Sequence, residues 1–495
     1  MSALQKNVFG RLAVSRGNVN IAGSIVDKDS GEQIPARVQV TGASGNFISP
    51  DNAIQKIGQG APFFYSDGKF AVTVNRGPTR IVIERGTEYI PATINLEAPS
   101  HGTVALDIEL ERWSDLGNRG WHPGNTHIHY DEKETRPDER LLLDPRIEDL
   151  RMTAVSILRR WDFDYATNKY TPGMLTEFSS DHHHVQCGEE NRHDAPGRTS
   201  GYGHIMLLNI ENVVDPISRG LLIDSFDPDY PPLSYACDDT RRQGGIVIWC
   251  HNGQGMEAPV AAALGKVDAF NLFDPNWADA EYDIYYRMLN AGIRLPASTG
   301  SDWFLCSANR VYTYTGGEFD YKEWLVALKD GATFITNGPA LSLEVDGRTP
   351  GAEVEAKPGQ QLSATASWTS HYPISRADIL YNGSVIASNS YPFGTKTGNV
   401  KTDICVPGDG WIAARLSSST RDSFYQPIFA NTSPVYIKTG LDSIEKKTAA
   451  AFFDQEIEDS LVWVGTKGKF YNDRQRKEVT DLFREGQQVY KSMLR

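Results

Sequence analysis

Gly124-Asn125-Thr126-His127-Ile128-His129 reads as a β-strand that runs out in two histidines, with Tyr130, Asp131 and Glu132 directly behind them. Residues two apart in a strand project from the same face, so both imidazoles point one way. Two neutral imidazoles so placed are good ligands for zinc, iron or manganese. The competing reading is a pair of polar residues on a solvated surface.

Two histidines do not close a metal site alone, and the rest of the chain offers partners. Of eleven histidines, nine lie between His122 and His251. Glu189 and Glu190 follow Gly188 at the end of a strand-like run, and His204 follows Gly203. His251 ends the apolar run Gly245–Cys250, and Asp302 follows Leu295–Ser301. Each polar group is thus expected where a buried strand runs out, the position of catalytic groups in parallel α/β folds. For His251 the alternative is a satisfied core histidine, and for Asp302 a local cap. His182, His183 and His184 are consecutive, so at most one faces a common centre, and His122, before Pro123, is read as orienting the strand start.

Outward from this stretch, strands alternate with helices from about residue 120 to 337. Strands are expected at 125–130, 154–161, 184–189, 205–210, 245–250, 269–273 and 295–299, and helices at 144–152, 280–290 and 321–329. Repeated βα units favour a parallel sheet or barrel. On either side the pattern is all-β: short alternating runs separated by Gly, Pro, Asn and Asp. Tyr381-Asn382-Gly383 is a hairpin signal. The tail is charged and amphipathic, with helices expected near 444–463 and 472–494. The expected domains are an N-terminal β-sandwich that resembles the carboxypeptidase-regulatory kind (1–115), an α/β barrel (116–340), a second β-sandwich (341–440) and a helical tail (441–495). The tail is expected to pack on the body or on a second subunit, making a homo-oligomer.

The chain has 495 residues, a formal net charge of -14 and five cysteines with no C-x-x-C pair. A negative field of that size disfavours nucleic acid and anionic membrane as partners. The cysteines indicate neither a disulfide framework nor a zinc knuckle. No apolar run approaches the ~20 residues needed to cross a bilayer, and the N-terminus lacks a signal-peptide core. A cytoplasmic protein acting on a small molecule is expected.

Taken in order, these residues resemble the polymerase-and-histidinol-phosphatase (PHP) superfamily, and within it the carbaryl-hydrolase-type (CehA/McbA) metallohydrolases. The resemblance covers roughly residues 20–390. It is carried by Glu84–Tyr89, Arg112-Trp113, Trp121–His129, Gly188-Glu189-Glu190, Gly203-His204, His251, Gly300-Ser301-Asp302, Asn309–Tyr312 and Thr333–Pro339. It implies a distorted (β/α) barrel of PHP type, with His127, His129, Glu190, His204, His251 and Asp302 as metal ligands. Three departures stand out: Asn125 where the group usually has Asp, Asn252 where Pro is common, and Trp303-Phe304 where classical members carry Asp-x-His. The missing closing histidine favours one or two divalent ions (zinc, manganese or iron) over three.

The expected chemistry is attack of metal-activated water on a carboxylic ester, amide or carbamate. Asp302 is the expected base, and Arg310 stabilises developing charge or forms a structural ion pair. Tyr130, Trp161 and Trp303 are expected to line the substrate pocket, with core packing as the alternative. Phosphoester hydrolysis is the second reading, set back because the sequence shows no glycine-rich phosphate cradle and cations near the histidines are sparse apart from Arg159, Arg160 and Arg310. The third is a non-catalytic carbohydrate- or polymer-binding protein with a relic barrel.

Overall fold

The computed structural model describes residues 19–130, 136–158, 166–195, 198–215, 228–273, 282–303 and 307–495, excepting the side chains of 166–167, 198–200 and 303. It is sheet-rich mixed α/β and divides into two compact units. Trp161, Arg159, Arg160, Asp131 and Glu132 lie outside the described residues, as does the side chain of Trp303.

Among the described residues the first unit comprises 19–56, 62–85 and 89–112. Its strands are β1 (Val19–Asp27), β2 (Ala36–Thr41), β3 (Phe47–Ile48), β4 (Phe64–Ser66), β5 (Lys69–Val74), β6 (Gly77–Glu84), β7 (Ala92–Ala98) and β8 (Gly102–Leu110). One sheet has the order β5-β1-β8; the other runs β3-β2-β6-β7, with β4 beside β2. Alternation explains the arrangement: Val19, Ile21 and Ile25 of β1 and Val38, Val40, Ile81 and Ile83 of the second sheet turn inward to one shared core.

The second unit holds the candidate site. Its central strand, β9 (Trp121–His129), runs parallel to β10 (Met152–Leu158), which runs parallel to β12 (His184–Ala195). The two-residue β11 (Gly173–Met174) flanks β12. Next come β13 (Arg198–Leu208), β14 (Ile246–Trp249), β15 (Ala269–Asn271) and β16 (Ala297–Ser298). The sheet is parallel through β14, β15 and β16, but β12–β13 and β13–β14 pair antiparallel. A wholly parallel sheet was expected; instead β12 and β13 form a hairpin. The strand expected to stop near Glu189 runs on to Ala195 because β13 pairs with this second half, Glu190 opposite Met206 and Arg192 opposite His204, with an irregularity between His193 and Ala195. Strand β17 (Asp302–Trp303) lies parallel to the end of β9, and β18 (Arg310–Tyr314) antiparallel to its start.

Helices α1 (Pro137–Ile147), α2 (Leu233–Arg242), α3 (Ala258–Ala263), α4 (Asp283–Asn290) and α5 (Tyr321–Asp330) punctuate these strands. The helix expected at 144–152 instead starts at Pro137, with Pro at its first position and Asp138 and Glu139 in its first turn, and gives way to β10 at Met152.

Beyond α5 the chain is again all-β: β19 (Thr333–Thr336), β20 (Ala340–Val345), β21 (Glu353–Glu355), β22 (Gln360–Tyr381), β23 (Ser384–Val406), β24 (Gly410–Arg421), β25 (Pro427–Thr432) and β26 (Val435–Lys438). Asn382 and Gly383, at φ 49° and 85°, make the turn between β22 and β23 that Tyr-Asn-Gly announced. The tail folds as α6 (Ile444–Thr466) and α7 (Asp473–Met493), N-capped by Ser443 and Asn472. Their apolar stripe (Phe453, Ile457, Val464, Val479, Phe483, Tyr490) joins the core around Trp249 and Phe270. Burying each such large side chain contributes about 1.5–3 kcal/mol.

Candidate metal centre

His127 and His129 project from one face of β9 while Ile128 packs on the other, and all three are fully buried. The imidazole Nε2 atoms converge to 3.0 Å. Asp302 arrives on the neighbouring strand in register with Ile128, which brings its Oδ1 to 3.4 Å from His127 Nε2 and 3.6 Å from His129 Nε2. Glu190, from β12, places Oε2 2.8 Å from His129 Nε2 and 3.5 Å from His127 Nε2. Its other oxygen, Oε1, faces His204 Nδ1 at 3.3 Å and His251 Nε2 at 3.8 Å. The donors therefore form two groups, His127–His129–Glu190–Asp302 and Glu190–His204–His251, each with donor atoms within 4.8 Å of one another and Glu190 in common. All six residues proposed as ligands from the sequence are brought together.

The local chain is shaped to allow this. Gly300 passes so close to β9 that a Cβ on it would lie 2.5 Å from His127 Cβ. Asn125, where an aspartate was expected, ties the two strands: its Oδ1 accepts from the amides of His127 and Ser301, and its Nδ2 donates to Ser301 Oγ at 2.7 Å. His251 and Asp302 both hold left-handed backbone, at φ 54° each, and Asn252 follows at 53°. Such strain in non-glycine residues is retained where surrounding structure imposes it, typically at functional sites.

Proton placement tests whether these donors fit a cation. His129 Nδ1 contacts the Ser156 carbonyl at 2.9 Å, and a carbonyl only accepts, so that nitrogen carries the hydrogen. In neutral His129 the Nε2 lone pair then faces the Glu190 carboxylate. Across the second group, Glu190 Oε1 and His204 Nδ1 are buried, lack the alignment of a hydrogen bond to each other, and find no other hydrogen-bond partner among the described residues. Lone pairs aimed at lone pairs in a buried site are satisfied by a shared cation, so the donor set fits a divalent metal. His204 Nε2 contacts Asp194 at 3.1 Å, the carboxylate–histidine arrangement that orients a ligand.

Burial pushes the Glu190 carboxyl up, yet the adjacent Arg192 guanidinium is the largest of the influences that hold it well below the usual carboxylate range. Arg192 donates from Nη2 to Glu190 Oε2 and is itself 5% exposed. Neither Arg192 nor Asp194 was singled out from the sequence. The signal was there: Glu190, Arg192 and Asp194 alternate, so once the strand continues they share a face.

Two expected site residues are placed elsewhere. Arg310 is buried against Glu148: Nη2 donates to its carboxylate at 3.1 Å, Nη1 to its carbonyl, and Nε to the Ala308 carbonyl. The ion-pair alternative describes it, because every nitrogen of the fork is engaged away from the cluster. Tyr130 is fully buried, and its hydroxyl donates to Asp144 at 3.2 Å. His122 contacts the Gly317 carbonyl and His183 the Leu150 carbonyl, both outside the cluster.

No family model and no curated protein matches this chain. Among solved structures it is similar to a two-domain protein from Bacteroides vulgatus containing a predicted PHP-like metal-dependent phosphoesterase. That similarity has a TM-score of 0.32 and 10% identity, over 65% of this chain and 97% of the other. At that degree of likeness, fold and activity rest on the residues themselves.

Proposed function

We propose that this chain is a metal-dependent hydrolase that binds one or two divalent ions through His127, His129, Glu190, His204, His251 and Asp302. The observation that carries the reading is the lone-pair geometry: His129, fixed as the Nδ1–H tautomer by Ser156, aims Nε2 at Glu190 where both side chains are buried. A divalent ion there lowers the pKa of water towards ~7 and polarises the bond under attack. The chain's own groups do the rest. Asp302 orients the attacking water and takes its proton, while Asp194 holds His204 in its orientation and Glu190 links the two donor groups.

Two bond classes suit such a site: a carboxylic ester, amide or carbamate, and a phosphoester. The sequence favours the first because it shows no glycine-rich phosphate cradle and few cations near the histidines; Arg192, paired with Glu190, places one cation at the cluster and supports the second. A distorted barrel remains the architecture we expect for the α/β part. The test is to load the protein with zinc, manganese or iron and assay aryl esters and aryl phosphates in parallel. Activity towards one class that chelation abolishes and metal restores is expected; activity indifferent to chelation overturns the reading.

A further inference from the structure

We infer that Arg192 reads charge on the substrate: its guanidinium binds an anionic oxygen of the group under attack, so the site selects substrates whose scissile group is negatively charged. This rests on the metal-centre reading and adds a substrate class to it.

The position of Arg192 is the first support. Along one face of β12, side-chain exposure rises from 0% at Glu190 to 5% at Arg192 and 14% at Asp194, so the face opens to solvent in that direction. Arg192 therefore lies one step from the ligand cluster, between it and the more exposed Asp194. Charge is the second. Burying a guanidinium costs several kcal/mol unless paired, and here its partner is the carboxylate shared by both donor groups. Divalent ions drawn to Glu190 compete with Arg192 for the same oxygen. The cluster holds three carboxylates (Glu190, Asp194, Asp302) against one guanidinium; one divalent ion brings it to formal neutrality, and a second leaves positive charge for an anion to offset. Geometry is the third: a guanidinium forks two parallel hydrogen bonds to a phosphoryl or carboxylate group, a match a neutral ester carbonyl does not offer.

The experiment uses the full chain, metal-loaded, as wild type, Arg192→Gln and Arg192→Lys. Metal content is measured on every sample, and inorganic phosphate and acetate are titrated separately by calorimetry. Charge-assisted hydrogen bonds make the expected loss of phosphate affinity in Arg192→Gln about 10- to 100-fold with metal retained. Arg192→Lys, keeping charge without the fork, should fall between. The kcat/KM ratio of an aryl phosphate to the matching neutral aryl acetate should drop in step. Acetate bound more tightly than phosphate, with the same dependence on Arg192, supports charge reading and makes the anionic group a carboxylate. Unchanged anion affinity in Arg192→Gln with metal bound overturns the inference and leaves the metal centre standing. If that variant does not fold, equal phosphate affinity in Arg192→Lys and wild type overturns it instead. Absence of metal from loaded wild type is a different failure, that of the metal-centre reading, and takes this inference with it.

Discussion

Gly300→Ala should weaken metal binding without replacing a ligand. An added Cβ would lie 2.5 Å from His127 Cβ, 2.8 Å from its amide nitrogen and 3.0 Å from its Cα. Carbon atoms pack at about 3.5–4.0 Å, so relief needs a separation of about 1 Å. The obstacle is the backbone and Cβ of β9, so no flexible side-chain tip can give way. Hydrogen bonds between the two segments oppose the movement, among them Ser301 N to His127 O, Ser301 N to Asn125 Oδ1, Thr126 Oγ1 to Thr299 O, and Asn125 Nδ2 to Ser301 Oγ. Gly300 does not use left-handed backbone, so alanine adds the contact and little else. Overpacking of this kind costs about 1–3 kcal/mol of stability. Metal distances tolerate only about 0.2 Å, and both His127 and Asp302 ride on the displaced segments, so affinity should fall at least ~10-fold. Competition against a fluorescent chelator measures affinity, and thermal unfolding of the chelated protein measures the steric cost separately. A variant that is destabilised yet binds metal as wild type does would refute the claim that this close approach sets the ligand geometry.

Asp302→Asn keeps the shape, and Asn tolerates the φ of 54° that Asp302 adopts. With the base removed, kcat should drop ~100-fold or more while at least one ion stays bound; near-normal kcat would put the base elsewhere. Arg310→Lys cannot reproduce the three-point hold on Glu148 and Ala308, so it should cost about 2–4 kcal/mol of stability and leave kcat of the folded protein near wild type. A large kcat effect at unchanged stability would return Arg310 to the chemistry. Burial lowers the His183 pKa from 6.5 to about 4. Its stabilising contribution is therefore present above pH 6.5 and lost as pH falls through 4, up to about 3 kcal/mol in all. Unfolding of chelated protein across that window checks it, and His183→Asn, which keeps a donor for the Leu150 carbonyl, should flatten the acid limb.

Legibility followed the range of the interactions. His127, His129, His251 and Asp302 could be read because strand alternation and the ends of apolar runs are local properties, and the structure brings them together. Pairing direction is not local: nothing within 184–208 distinguishes an antiparallel hairpin from two strands of a parallel sheet, and the strand was cut short before Arg192 and Asp194. Arg310 misled because its partner Glu148 lies 162 residues away, while its neighbour in sequence is Asn309 in a recognisable motif. Tyr130 likewise sits beside His129 in sequence yet turns to Asp144. The capped tail helices were readable as elements; their docking on Trp249 and Phe270 is a tertiary fact that periodicity does not encode.

The central claim is that these six side chains hold metal. The most direct measurement is elemental analysis of the purified chain after saturation with zinc, manganese or iron and removal of excess, beside the double variant His127→Ala/His129→Ala. The account predicts one to two equivalents in wild type, and in the double variant loss of the ion held by His127, His129, Glu190 and Asp302. No bound metal in a folded, saturated wild type, or equal content in the double variant, would contradict it.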